Sequence, residues 1–365
     1  MHLVLVAAQR MAAVYGSGYP AIAAALDTAL AARTASGITS MRYDPEAGLP
    51  ALNIPPVPAE SAALAAQLAA IEAALATQNA IIESLWIIGG PTLVPFGSLP
   101  NPMPDSDGVL LSDAPYGLAD AAAPLMKWPV GRTPDAEPHA PGLLARLLNH
   151  VAAVHRAGPQ APGAVTALAA AVWADVTSAL LAQAGVTSRP LLAPPLEPGS
   201  AAFDDLFAGR RIVCNIHGVR RAAAWLGQLQ AGAPLIAALQ PSDLAGRDLR
   251  GKVVISQACY GARLNRVEAT EALAIGLLAA GLDGLVAPPG LAYGSLEPPP
   301  TASDVLVAAL ITALAQPGCR LGAAVLAAQT EFLRAALLRG GPDADEIKTL
   351  LGFVLYGDPA LPWVH

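Results

Sequence analysis

The fold is decided by two short apolar runs in the second half of the chain, RIVCNIHG at residues 211–218 and VVISQACYG at residues 253–261. Each run is rich in Val and Ile, is bounded by Gly and is short for a helix, which predicts two buried strands of a parallel sheet. In an open α/β sheet, ligands bind just beyond the carboxyl ends of the strands. His217 and Cys259 each follow one of these strands, so the sequence predicts that they belong to one site.

The chemistry that needs a cysteine beside a histidine is acyl transfer by a thiolate. A cysteine is a nucleophile only when it is ionised, and a nearby imidazole both assists that ionisation and protonates the departing amine. Gly218 lets a substrate carbonyl approach the main chain, where N–H groups at such turns stabilise an oxyanion. His217 and Cys259 are therefore candidate catalytic residues.

Two other interpretations of these residues compete with catalysis. A single Cys or His at the end of a buried strand usually serves packing, and only the occurrence of both at matched strand ends favours a catalytic pair. A zinc site would need Cys214 together with His217 and Cys259, but side chains alternate along a strand, so Cys214 and His217 point to opposite faces. Cys214 is predicted to pack in the core, and no metal site is predicted.

Composition narrows the possible partners. The 365 residues suffice for one large domain or two small ones, and 54% of them are apolar. The net charge is −7, and no block of basic residues indicates nucleic acid or an anionic membrane as a partner. Three unevenly spaced cysteines argue against a disulfide framework and for a reducing compartment. The first eight residues resemble a strand more than a signal peptide, so we expect a cytoplasmic protein.

Strand and helix patterns alternate along the chain. In the first half we expect strands at 1–8, 38–43 and 85–88 and helices at 20–35 and 59–78. This order predicts a mostly parallel sheet with helices on its faces. Residues 91–140 are rich in Pro, Gly, Ser and Asp, which is typical of a binding region. The second half adds a predicted strand at 284–287 and predicted helices at 141–157, 163–186, 267–280, 303–316, 320–339 and 343–351.

Four features, taken in their order along the chain, resemble the gingipain-type cysteine peptidases of the caspase clan. They are a strand followed by GGPTLVP at 89–95, SDAPYG at 112–117 followed by VGR, the His-Gly and Gln-Ala-Cys strand ends, and GDPAL at 357–361. Caspases themselves have Arg, Gln or Gly at the position of Tyr260. The resemblance implies a caspase-like three-layer α/β/α fold in two subdomains. Residues 1–140 would carry the specificity loop and residues 141–365 the catalytic residues.

The resemblance also implies an activity, that of a cysteine endopeptidase acting on a protein or peptide substrate without a metal or an organic cofactor. His217 would be the general acid and base and Cys259 the nucleophile. The main-chain N–H groups of Gly218 and Cys259 would form the oxyanion hole. No acidic residue matches the partner that would orient His217, so a main-chain carbonyl is expected to take that role.

Substrate preference is expected from residues around this pair. The resemblance places Asp113 at the bottom of the primary specificity pocket, where a carboxylate would hold the side chain of a substrate Arg or Lys. Ordinary turn chemistry explains the same Asp equally well. Tyr293, in a Pro/Gly loop, is a candidate wall of the pocket or a loop-packing residue, and Gln257 is a candidate substrate-binding residue. Asp105 and Asp107 fit solvated loop carboxylates better than calcium ligands.

Two other classes of function remain. A caspase-fold regulatory or binding module would keep the motif with little turnover, and the reactivity of the Cys259 thiol distinguishes it from an enzyme. A flavodoxin-like small-ligand protein is the third class. The chain has no Gly-x-Gly-x-x-Gly or Walker sequence after its first strand, which argues against nucleotide binding.

Overall fold

The computed structural model of the protein describes residues 1–120, 123–264 and 272–364. The described strands are β1 His2–Val6, β2 Ser40–Tyr43, β3 Ser84–Ile88, β4 Gly97–Leu99, β5 Leu110–Ser112, β6 Leu118–Asp120, β7 Ala123–Met126, β8 Val130–Thr133, β9 Val165–Ala170, β10 Leu191–Ala193, β11 Arg211–Asn215, β12 Trp225–Gly227, β13 Ile236–Leu239, β14 Val253–Ser256, β15 Gly284–Ala287 and β16 Val354–Tyr356.

The described helices are α1 Ala8–Tyr15, α2 Tyr19–Ala35, α3 Ser61–Ala76, α4 Pro141–Ala157, α5 Ala174–Gln183, α6 Ala202–Ala208, α7 Leu273–Ala279, α8 Ser303–Ala313, α9 Leu321–Leu338 and α10 Ala344–Gly352.

Ten of these strands form one continuous sheet, in the order β10-β9-β11-β14-β15-β16-β8-β3-β1-β2. Neighbouring strands are parallel except at one junction, where β16 is antiparallel to β15 and parallel to β8. The strands on the two sides of this junction therefore run in opposite directions. As a result, the carboxyl ends of β1, β3 and β8 lie at the edge of the sheet opposite to those of β11 and β14.

Helices cover both faces of the second half of the sheet, as the three-layer prediction requires. Ile212 and Cys214 of β11 contribute to a core cluster with α6 and α7, whereas Val213 contributes to a cluster with α5, α8 and α9. This alternation follows from the two-residue period of a strand. Cys214 is buried and packs as predicted, and burial raises the pKa of its thiol to about 12.

The α/β/α fold class is thus confirmed. The division at residue 140 stays a prediction. The sheet runs through both predicted subdomains, and α4, which the division assigns to the second, packs against α2 of the first.

Two expected helices differ from the structure. Residues 163–186 were expected to form one helix, but they contain a buried strand, β9, a 3₁₀ turn at Ala171–Trp173 and then α5. Alanine favours a helix, but pairing with β10 and β11 in the buried sheet overrides this preference. The helix expected at 267–280 is present as α7, while its beginning at 267–271 lies outside the described residues.

Within the described ranges, one helix, α9, is long and apolar enough to cross a membrane. A buried core helix passes the same test. α9 packs along α8 and contributes Phe332 and Ala336 to the core, and it carries the ion pair of Glu331 with Arg334 on its exposed side.

Candidate active site

The register of two neighbouring strands brings His217 and Cys259 to the same edge of the sheet. β11 and β14 are parallel, and Cys214 is paired with Ser256. His217 and Cys259 each follow three residues after this pair. Neighbouring strands lie about 4.8 Å apart, so the two segments leave the sheet side by side.

The main chains of Gly218 and Cys259 are in direct contact. A Cβ atom on Gly218 would lie 1.9 Å from the carbonyl oxygen of Cys259 and 3.2 Å from its nitrogen. No side chain fits there, which explains why a glycine follows the histidine. Within the described part of the chain, neither the Gly218 nor the Cys259 N–H donates a hydrogen bond to another residue. Main-chain N–H groups that are left without a partner in the protein are what an oxyanion hole requires.

The Cys259 thiol is held by one residue of the loop after β15. The Ala292 N–H donates to Sγ at 3.5 Å, and Sγ–H lies 3.6 Å from the Ala292 carbonyl oxygen. Burial raises the pKa of Cys259, and the hydrogen bond from the Ala292 N–H partly offsets this effect. The resting thiol is consequently neutral near pH 7.

His217 is held by its main chain, by a ring contact with Trp173 and by a hydrogen bond at one ring nitrogen. Its N–H and carbonyl bond with Leu226 at 2.9 and 2.8 Å. The His217 ring packs on Trp173, with the ring centroids 4.0 Å apart. Nε2 lies 3.1 Å from Oε1 of Gln228, whose own amide N–H donates to the Ala233 carbonyl at 2.8 Å.

These contacts fix the tautomer of His217. The bond from Gln228 to Ala233 turns the amide oxygen toward the imidazole, so Nε2 carries the proton of the neutral ring. Nδ1 is then the nitrogen that accepts a proton. Burial lowers the pKa of His217, and the hydrogen bond with Gln228 acts in the opposite direction. The residue that orients His217 is thus a side-chain amide, not the main-chain carbonyl that the sequence led us to expect.

The residue after Cys259 has an unusual backbone conformation. Tyr260 has φ +60°, a left-handed conformation that is uncommon for a residue other than Gly, Asn or Asp. Its N–H donates to the Gly290 carbonyl at 2.7 Å, and its hydroxyl donates to Oδ1 of Asp107 at 3.0 Å. These bonds hold the turn that presents Cys259.

A buried ion cluster lies behind this turn. Lys348 of α10 places Nζ 2.6 Å from Oδ2 of Asp105 and 3.0 Å from Oδ2 of Asp107. Asp107 also accepts the Leu291 N–H at 2.7 Å, and the Tyr293 hydroxyl donates to Asp105 at 2.6 Å. The two carboxylates are therefore neither solvated, as the sequence suggested, nor calcium ligands, because an ammonium group lies between them. They tie α10 to the loops on both sides of Cys259.

Asp113 does not offer a carboxylate to a substrate, contrary to the sequence-based expectation. It is 3% exposed and forms a two-pronged ion pair with Arg132 of β8, through Nε to Oδ2 at 2.9 Å and Nη2 to Oδ1. Arg132 also donates to the carbonyls of Gly89 and Val94 at 2.8 Å. The pair belongs to the half of the sheet whose strands run opposite to β11 and β14, and its charges neutralise each other.

The two other predicted substrate residues also have partners inside the protein. Gln257 is buried, and its Oε1 accepts the Ser303 hydroxyl at 2.7 Å, so the side chain faces the start of α8. Tyr293 is bound to Asp105, and Nζ of Lys348 lies 5.5 Å from the centre of its ring. Their roles toward a substrate stay predictions.

Two cavities flank the Cys259 turn. One, of about 640 Å³, is lined by residues 218–223, Trp225, Cys259–Gly261, Arg263 and Ala272–Ala274. The other, of about 340 Å³, has the apolar side chains of Phe96, Val109 and Leu110 and shares Arg220, Tyr260 and Arg263 with the first. Both are large enough for side chains of a peptide.

Sequence reasoning missed Gln228, Trp173, Ala292 and Lys348. Each comes from a segment distant from both motifs, and only the folded chain brings them to the pair. One signal did exist for Trp173, because it follows a strand of the same sheet, but the segment was expected to be helical.

Comparison with known proteins identifies a fold and no family. No protein-family model and no curated protein matches the sequence. A solved structure described only as a protease is similar over 99% of this chain and 78% of its own, with a TM-score of 0.67 and 13% identity.

Gingipain R, an Arg-specific cysteine proteinase, is similar over 99% of this chain and 77% of its own, with a TM-score of 0.64 and 12% identity. A complex of the pro- and mature domains of RgpB from Porphyromonas gingivalis has the same TM-score and identity. The similarity covers 99% of this chain and 79% of that one. At this identity the likeness shows the fold alone.

Proposed function

We propose that this protein is a cysteine endopeptidase, with Cys259 as the nucleophile and His217 as the general acid and base. The observation that carries the proposal is the contact between the main chains of Gly218 and Cys259, whose N–H groups donate to no other described residue, next to a partly exposed thiol. The gingipain-like fold is consistent with a peptidase.

The proposed reaction starts with proton transfer from Cys259 Sγ to Nδ1 of His217. The thiolate attacks the scissile carbonyl carbon, and the N–H groups of Gly218 and Cys259 stabilise the negative charge that develops on the carbonyl oxygen. His217 then gives its proton to the departing amine, and a thioester remains on Cys259. Water, deprotonated by His217, hydrolyses the thioester and releases the second product.

The resting site needs one change before this reaction. Sγ must leave the Ala292 carbonyl, because that contact favours the neutral thiol. A substrate strand that enters beside the loop after β15 would compete with this contact. The proposed activity also requires a reducing compartment such as the cytoplasm, because Cys259 must remain a free thiol.

Cleavage after Arg or Lys, which the resemblance implies, is the less supported part of the proposal. Asp113 is already bound by Arg132. Asp107, which lines the smaller cavity, is bound by Lys348 and Arg220. A carboxylate that receives a substrate cation would have to exchange one of these partners.

The test is hydrolysis of fluorogenic peptides with Arg, Lys, Asp, Asn or Leu before the scissile bond. We expect wild type and Cys319→Ala to cleave the same peptides and Cys259→Ala and His217→Ala to cleave none. Cys319 is the matched control, because it is also a partly exposed thiol with a pKa raised by burial, to about 11. Cleavage by Cys259→Ala at the wild-type rate would refute the assignment.

One observation favours the alternative, a binding or regulatory module with little turnover. The thiol is held by Ala292, and burial holds the pKa of Cys259 up and that of His217 down, so neither group is charged at rest. Alkylation by iodoacetamide at pH 7 distinguishes the two functions within one molecule. If the protein is a peptidase, Cys259 should be alkylated faster than Cys319. If it is a binding module, Cys259 should be alkylated no faster than Cys319.

A further inference from the structure

The larger cavity beside Cys259 has an unusual charge for this protein. The chain carries a net charge of −7, yet Arg220, Arg221 and Arg263 line the cavity, and none of its described lining residues is acidic. Arg220 and Arg221 come directly after Gly218 and Val219, so they are on the loop that leaves the proposed oxyanion hole. Their position is therefore set by the same strand as that of His217.

Tyr260 organises two of these side chains. The guanidinium carbons of Arg220 and Arg263 lie 5.4 and 5.7 Å from the centre of its ring. The hydroxyl of the same ring is fixed to Asp107 at 3.0 Å. The aromatic residue after the nucleophile thus serves as a platform for cations at the mouth of the cleft.

Among the described residues, Asp107 is the carboxylate that pairs with Arg220, and it is shared with Lys348. Asp107 lies 3.3 Å from Nη2 of Arg220, but its other oxygen is bound by Lys348 at 3.0 Å. Arg221 is exposed and has no ion-pair partner in residues 1–120, 123–264 and 272–364. Burial lowers the pKa of Arg263, and the like charges of Arg220 and Arg221 lower it further, whereas Tyr260 and Asp107 oppose the shift. Among the described residues that line the cleft, arginines therefore outnumber acidic residues.

We propose that this cleft binds an acidic side chain, Asp or Glu, of the peptide substrate close to the scissile bond, with Arg220 and Arg221 as the residues that determine this preference. The inference rests on the proposed peptidase function, since Cys259 lines the same cavity. A guanidinium that donates two parallel hydrogen bonds to a carboxylate suits such recognition. A substrate Arg or Lys in this cleft would instead meet like charges.

The experiment uses pools of internally quenched octapeptides in which one position at a time holds Glu, Gln or Lys and the other positions are equimolar mixtures. Cleavage is measured for wild type, Arg220→Gln/Arg221→Gln and the control Arg334→Gln. Arg334 is an exposed arginine of α9, paired with Glu331 and absent from the residues that line the cleft.

We expect Glu at one or two positions flanking the cleaved bond to raise kcat/KM roughly tenfold over Gln, the size typical of a hydrogen bond to a charged group. This advantage should disappear in the double variant and persist in Arg334→Gln. Equal rates for Glu and Gln in wild type, or an advantage that survives in the double variant, would overturn the proposal.

A binding measurement separates failure of this proposal from failure of the peptidase function. Fluorescent Glu-rich and Gln-rich peptides are titrated against Cys259→Ala, with and without the double arginine replacement, and followed by anisotropy. If wild type cleaves nothing but Cys259→Ala prefers the Glu-rich peptides through Arg220 and Arg221, the acidic subsite stands and the enzyme assignment falls. Without such a preference, the subsite is refuted, whatever wild type cleaves.

Discussion

The main chain of Gly218 lies so close to Cys259 that a Cβ atom at position 218 would be 1.9 Å from the Cys259 carbonyl oxygen. The Cys259 carbonyl oxygen is a main-chain atom, so no rotation of a side chain relieves the overlap. Any residue other than glycine must separate the two segments that carry the proposed catalytic pair. The same two residues are the proposed oxyanion donors. Both the contact and the proposed chemistry therefore depend on the absence of a side chain at position 218.

Replacement of Gly218 by Ala should therefore lower kcat/KM roughly 100-fold or more, the loss typical of a displaced oxyanion donor. The variant should still fold, because the overlap lies at the edge of the sheet. Peptide hydrolysis gives the rate, and circular dichroism reports the fold. Gly142→Ala in α4 is the control, since a Cβ there meets no atom within 4 Å. Wild-type activity in Gly218→Ala would show that the two N–H groups do not act together.

Replacement of Gln228 by Glu should move the pH dependence of catalysis. A carboxylate in place of the amide, 3.1 Å from Nε2, would favour the imidazolium and raise the pKa of His217. Because the reaction needs a neutral His217 to accept the thiol proton, the acid limb of the kcat/KM profile should shift to higher pH, by about one unit or more.

The opposite shift is expected for Gln228→Met, which removes the hydrogen bond that raises the pKa of His217. A full pH–rate profile of the three proteins provides the measurement. If Glu and Met leave the acid limb in the same place, His217 is not the group that titrates in the reaction.

The strands of the site were predictable because their sequences leave little choice. The runs that became β11 and β14 are rich in Val and Ile, short and bounded by glycine, and these strands and the apolar strand β15 are buried in the structure. The strand register then follows from pairing, so the meeting of His217 and Cys259 could be predicted as well. The contact of the Gln228 amide with His217 could not be predicted, because it depends on the turn after β12. The sequence of this turn has no periodic pattern of apolar residues.

The sequence did not reveal that Arg132, the partner of Asp113, lies on a strand that runs opposite to β11 and β14. The three-residue strand β16 inverts the direction of the sheet between its two halves. So short a strand gives no periodic signal in the sequence, and without it the carboxyl ends of all the parallel strands would share one edge. The prediction of one helix over residues 163–186 was wrong because strand pairing with β10 and β11 overrides the helix preference of alanine.

Asp304 lowers the stability of the protein at neutral pH. It is 1% exposed, and its Oδ1 has no partner among the described residues, although Oδ2 accepts the Ser295 N–H at 2.8 Å. Burial raises the pKa of Asp304 from 3.8 to about 6. The folded protein thus binds this proton more tightly than the unfolded chain, and stability falls as the pH rises from about 4 to about 6.

Replacement of Asp304 by Asn should stabilise the fold at pH 7 by about 2–3 kcal/mol, because each pKa unit corresponds to about 1.4 kcal/mol. The gain should vanish near pH 3.5, where the carboxyl is protonated in both states. Urea unfolding at the two pH values measures it, with the exposed Asp27→Asn as a control that should change little. A gain that is independent of pH would contradict the explanation.

The ion cluster of Lys348 should stabilise both the fold and the turn of the nucleophile. Lys348→Met leaves Asp105 without its cation and Asp107 with Arg220 alone, which should cost about 3–5 kcal/mol at pH 7. Burial alone would raise the pKa of Asp107, but its hydrogen bonds from the Leu291 N–H and from Lys348 outweigh this effect and lower it.

The contribution of Asp107 is therefore present above the unfolded pKa, near 4, and is lost as the pH falls below it. Accordingly, the deficit of Lys348→Met should shrink in acid. Adding Asp105→Asn and Asp107→Asn to Lys348→Met should recover part of the stability at pH 7. Chemical unfolding of the single and triple variants provides both tests, and no recovery in the triple variant would mean that lost packing, not charge, explains the deficit.

Asp113 is the residue at which the resemblance and the structure make opposite predictions. If it formed a specificity pocket, Asp113→Asn would lose cleavage after Arg and keep its stability. In the structure, the replacement leaves the buried Arg132 without its counter-charge, so we expect a loss of about 3–5 kcal/mol in unfolding free energy. The relative rates for peptides with different residues before the scissile bond should stay unchanged. The double variant Asp113→Leu/Arg132→Met removes both charges together and should be more stable than Asp113→Asn, because no unpaired charge remains buried. An unchanged unfolding free energy in Asp113→Asn, with selective loss of cleavage after Arg, would instead make Asp113 a substrate-binding residue.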